Sequence, residues 1–121
     1  MAKRTFAVSD LEGVDGYKLG SGLVVPRPIG WIGTVATDGV PNLAPYSFFN
    51  MVSGVPPTFV FAPGKGSRKD TLDNVRRVPS FTISVVGVEV VGAMYAAAAS
   101  AGADVVEFEL AGLTARPSTS I

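Results

Sequence analysis

Two short segments carry residue types that could meet a ligand. The first is Asn42-Leu43-Ala44-Pro45-Tyr46-Ser47-Phe48-Phe49-Asn50. Ala44 and Pro45 let a planar ring approach the backbone closely, Tyr46 and the phenylalanines can wall it, and Ser47 and Asn50 offer polar side chains to its edge. The second is Ser67-Arg68-Lys69-Asp70-Thr71. Ser67, Arg68, Lys69 and Thr71 could each bond a phosphate oxygen. Arginine gives strong charge-assisted bonds, and a helix start adds free N–H groups. Asp70 counts against an anion, since its carboxylate competes for those N–H groups. A ring wall and a phosphate cradle together predict a nucleotide-like cofactor, with FMN as the candidate.

Each segment also has a plainer reading. Residues 42–50 could be a barrel strand whose aromatics fill the core, and residues 67–71 a solvated basic turn capped by Asp70. Trp31, the sole tryptophan, could stack near a ligand or a partner subunit, or serve as a core residue. Arg27, between Pro26 and Pro28, could reach an anion or form a surface ion pair. The glycine-to-lysine spacing of a P-loop is absent, and Gly20-Ser21-Gly22 has Val25 where a dinucleotide fingerprint needs its third glycine.

Composition narrows the chemistry further. With neither histidine nor cysteine, the chain can build no Ser-His-Asp triad, thiolate nucleophile, disulfide or His-ligated metal site. Redox chemistry would come from a bound cofactor. Lys plus Arg balances Asp plus Glu at 10 each, which argues against a broad nucleic-acid surface. At 121 residues, 47% hydrophobic, the chain is expected to form one domain that leans on a partner for burial. Its apolar runs are too short to span a bilayer, and Met1-Ala2-Lys3-Arg4 leads into no signal-peptide core. A soluble, cytoplasmic protein without membrane contact is expected.

The elements that must position these residues are read from pattern. Residues 1–16 read as a loose lead-in or edge strand. Residues 29–37 are rich in strand formers, Asp38-Gly39 marks a hairpin turn, and residues 40–49 are the returning strand, bent at Pro41 and Pro45. Residues 58–62 and 81–86 read as strands. Asp70 starts a helix running to about Val78, stopped by Pro79. The Ala-rich residues 89–101 favour a second helix, and residues 105–110 a short strand or extended connection. No internal repeat or linker is visible. Short strands with isolated helices predict a β-barrel with helical decoration rather than a parallel βαβ sheet.

Taken in order, these pieces resemble the flavin reductase-like family of FMN-binding split-barrel proteins. The resemblance rests on Tyr17-Lys18-Leu19, Val25-Pro26-Arg27-Pro28-Ile29-Gly30-Trp31, the 42–50 segment, Pro56-Pro57, Arg68-Lys69-Asp70-Thr71-Leu72, Asn74-Val75, and Glu107-Phe108-Glu109-Leu110-Ala111-Gly112-Leu113-Thr114. It implies a mainly β fold with helices: a six-stranded, Greek-key split barrel, usually a homodimer with flavin at or near the interface. It implies that Ala44, Pro45, Tyr46 and Ser47 lie along the isoalloxazine ring and that Ser67, Arg68, Lys69 and Thr71 hold the phosphate. Thr34, and Trp31 on the same strand, would sit near the cofactor. The implied activity is hydride transfer from NADH or NADPH to flavin, possible without His or Cys, with a monooxygenase as a consumer of reduced flavin. Members continue past residue 114 into strands that complete the barrel, so a barrel open at its C-terminal end and an obligate oligomer are expected. A non-catalytic FMN carrier and an apo structural domain are the alternatives.

Overall fold

The computed structural model describes residues 3–64, 70–98 and 106–119. Gly30–Val35 forms the central strand, β1. Its hairpin turns at Asp38-Gly39 as expected. Gly39 adopts φ +89°, where a Cβ would be strained, and its N–H donates to Ala36 O at 2.9 Å. Pro41–Tyr46 returns as β2, antiparallel, from Val35 opposite Pro41 to Gly30 opposite Tyr46. Phe49–Gly54 (β3) and Pro57–Phe61 (β4) make a separate two-stranded sheet with a register shift between Met51 and Ser53. Thr82–Ser84 (β5) then pairs with the free edge of β1, giving the order β2-β1-β5.

Side chains alternate across a strand, so the three-stranded sheet has two different faces. One carries Trp31, Leu43 and Pro45. Two helices cover it, Val91–Ala97 and Glu107–Leu110, numbered α3 and α4 in chain order. Trp31, Leu43 and Ala97 are buried there, with Met94, Phe108 and Leu113 packed against them. The Ala-rich stretch thus packs within its own chain through Ala97. The other face carries Ile32, Thr34, Asn42 and Tyr46 and receives the helix Asp70–Arg77, α2. Thr71 and Asn74, three residues apart on one helical stripe, are buried against it. Asp70 and Asp73 in the first turn and Arg76 and Arg77 in the last complement the helix dipole.

Aromatic rings join the two sheets. Tyr46 and Phe61 lie 5.2 Å apart, and Phe61 and Phe81 5.0 Å. A Cβ on Gly30 would come within 2.6 Å of the Phe49 ring, so this contact requires glycine.

Four expectations need correction. Residues 13–16, placed in a loose lead-in, belong to the helix Gly13–Leu23, α1, which forms despite Gly13, Gly16, Gly20 and Gly22. Its Tyr17 packs edge-on against Phe48, 6.1 Å between centroids, and such packing outweighs weak intrinsic propensity. The returning strand is not continuous over 40–49: β2 ends at Tyr46 and β3 begins at Phe49. Residues 107–110 are helical rather than extended, because Phe108 turns onto the Trp31 face. The helices therefore number more than the two expected. In keeping with the open barrel expected, the sheets do not close among the described residues.

Candidate functional site

A buried polar network lies between β1, β2 and α2. Asn42 Nδ2 donates to Thr34 Oγ1 at 3.0 Å and to Thr71 Oγ1 at 2.9 Å. Asn74 Nδ2 donates to the same Thr34 oxygen at 3.2 Å. All four residues are buried, Thr71 almost completely. Tyr46 hydrogen-bonds Thr71 and extends the network to the end of β2. Buried polar groups are costly unless satisfied, so these bonds fix how α2 sits on the strands. Burial pushes the Tyr46 hydroxyl above its ordinary pKa, the Thr71 bond opposes this, and the Asp70 and Glu107 carboxylates add to the rise.

The Tyr46–Thr71 bond brings the start of α2 to the segment expected to wall a ring. Ala44, Pro45 and Ser47 are half-buried there. Thr34, Ala44, Tyr46 and Thr71 share the α2 side of the sheet, whereas Trp31 and Pro45 project to the opposite face. Trp31 is a core residue, and its indole N–H makes no hydrogen bond among the described residues. Ser67, Arg68 and Lys69 lie outside the described residues. The Thr71 hydroxyl is engaged within the network. Asn50 is exposed, and its Oδ1 accepts from the Met51 N–H at 2.8 Å. Arg27 forms no ion pair among the described residues; its guanidinium donates to Ser21 O at 3.0 Å and lies 5.5 Å from the Phe48 ring.

A cleft of about 440 Å3 opens at the other end of the strand pair, beside the hairpin turn. Thr34 is the one expected cofactor residue that borders it. The network hub Asn42 and its partner Asn74 were not among the expected site residues. The signal for Asn42 was present, since the Asp38-Gly39 turn fixes a register that sets Asn42 opposite Thr34. Nothing local marked Asn74, which reaches Thr34 only through the docking of α2.

Residues 21–120 match the flavin reductase like domain. The chain belongs to the flavin reductase-like family. An uncharacterized protein of Aquifex aeolicus is 42% identical over 118 residues, covering 95% of this chain and 59% of that protein. Component B of nitrilotriacetate monooxygenase from Bacillus cereus superposes with a TM-score of 0.90 at 33% identity, over 100% of this chain and 61% of its own. The 2-nitrobenzoate 2-nitroreductase of Pseudomonas fluorescens gives 0.85 at 33% identity, over 98% and 57%. The fold is therefore the split barrel of flavin reductase-like proteins, and the chain spans about three-fifths of these relatives' length. Membership supports a flavin-related oxidoreductase role. Among the described residues, no helix is long and apolar enough to cross a membrane.

Proposed function

We propose that this flavin reductase-like chain binds FMN and passes reducing equivalents from NADH or NADPH to flavin. The buried hydrogen bond from Asn42 Nδ2 on β2 to Thr71 Oγ1 at the start of α2, 2.9 Å long, carries the reading. It starts α2 beside residues 44–47, and Ser67, Arg68 and Lys69 directly precede that start in the chain. Ala44, Ser47 and the backbone at Pro45 would line the ring, while Ser67, Arg68 and Lys69 would take the phosphate with the first-turn N–H groups of α2. Thr71 would hold the turn in place, and Trp31 would support the strand pair from behind. Bound flavin supplies the hydride acceptor, so the lack of His and Cys is no obstacle. The protein's part is to position the reactants and exclude water.

A homodimer, a cytoplasmic location and a monooxygenase consuming reduced flavin belong to the same reading. Similarity to a monooxygenase component B supports the last. One observation favours a second reading, an FMN carrier without nicotinamide turnover: the cleft lies away from residues 44–47.

The test is flavin absorbance retained after adding FMN and desalting, followed by NADH and NADPH oxidation. Retention with oxidation supports the reductase, retention without it the carrier. Arg68→Ala with Lys69→Ala should weaken FMN at least about tenfold and riboflavin little, because only FMN carries the phosphate. Equal losses would remove the phosphate assignment.

A further inference from the structure

The cleft beside the hairpin has a polarity that the flavin reading does not use. Val78, Phe81 and Phe108 give it apolar walls, and Thr34, Ser80 and Arg116 also border it. Its volume of about 440 Å3 lies within the range of small-molecule sites, roughly 300–1,000 Å3. α2 separates it from the proposed phosphate end: the helix runs from Thr71, beside Tyr46, toward Val78 at the cleft, a rise of about 10 Å.

The cleft's polar side chains are Thr34, Ser80, Thr82, Ser118 and Arg116, and Arg116 carries the one charge among them. Arg116 is exposed and forms no ion pair among the described residues, and a guanidinium has no acceptor. Thr34 Oγ1 already accepts from Asn42 Nδ2 and Asn74 Nδ2. A hydroxyl has two lone pairs, so all that Thr34 can offer a ligand is its proton. A guanidinium beside the apolar walls of Val78, Phe81 and Phe108 suits a ligand with a planar hydrocarbon body and an anionic end. With a single guanidinium, the cleft suits one carboxylate, which the planar fork can grip with two bonds.

We propose that this cleft binds an aromatic carboxylate of one or two rings, at a site separate from the flavin. Isothermal titration with 2-naphthoate and with uncharged 2-naphthalenemethanol tests it, on the native chain and on Arg116→Gln, each with and without saturating FMN. The acid should bind at least about tenfold more tightly than the alcohol, the value of one or two charge-assisted bonds. Arg116→Gln should weaken the acid alone by a similar factor. FMN should change neither affinity. Equal affinity for acid and alcohol in the native chain would overturn the proposal, as would an acid affinity insensitive to Arg116→Gln. Displacement of the acid by FMN would show that the cleft belongs to the flavin site and overturn it also. A chain that binds no FMN would defeat the flavin reading alone.

Discussion

At the scale of single residues, Asn42 has the largest expected effect. Its amide nitrogen uses both protons to tie Thr34 on β1 and Thr71 on α2. Asn42→Ala removes both bonds and leaves a small void in a buried layer. It should lower stability by about 2–4 kcal/mol, read as a shifted urea midpoint at unchanged slope. Tyr46 predicts a pH dependence. Tyrosine is neutral below its pKa, and the folded chain holds Tyr46 above the ordinary value of 10.0. As pH rises, the unfolded chain therefore sheds this proton first. The stability due to neutral Tyr46 is complete below the ordinary value and is lost as pH climbs through the raised one. Tyr46→Phe should cost about 1 kcal/mol at neutral pH, for the Thr71 bond, and the gap to the native chain should shrink under alkaline denaturation. A gap that stays constant as the pH climbs past the ordinary tyrosine value would refute this.

At the scale of elements, the strand pairing around β1 was readable and the helices were less so. Asp38-Gly39 between two apolar strand-forming runs fixes a hairpin through turn geometry alone, and that hairpin sets Thr34 against Asn42. α2 was readable from Asp70 at its start and Pro79 after its end. α1 was not, because its four glycines argue against helix and its support, Phe48, lies in a distant segment. α4 was missed for the same kind of reason, as Phe108 finds its partners only once the Trp31 face exists. The ring wall at residues 44–47 was legible from residue type. The separation of Trp31 from Thr34 follows from alternation along β1 once the register is known. The junction between the sheets gives a further prediction. Gly30→Ala drives a methyl group into the Phe49 ring, so it should cost about 1–3 kcal/mol in thermal or chemical unfolding. Phe49→Ala in the same chain should recover part of the loss by making room. A double variant whose loss equals the sum of the two single losses would show that the two sites do not interact.

At the scale of the molecule, the second sheet leaves apolar side chains in contact with solvent. Val52, Phe59 and Val60 are between 42% and 58% exposed, on a sheet that shows apolar surface to solvent, and exposed apolar surface is what association buries. A homodimer formed there should show a sedimentation coefficient that rises with concentration, and Val60→Lys should shift that rise to higher concentration. A coefficient constant across the micromolar range, at the monomer value, would count against the dimer.

The dry face of the three-stranded sheet has an optical consequence. Trp31 is the chain's sole tryptophan, it is 5% exposed, and its indole N–H has no hydrogen-bond partner among the described residues. Its emission should therefore be blue-shifted in the folded chain and move to the red when α3 and α4 lift and water enters. With no second tryptophan to blur the signal, fluorescence reports on that one layer. A ligand that leaves the emission wavelength in place has acted without disturbing it, and a variant that shifts the wavelength has reached the core.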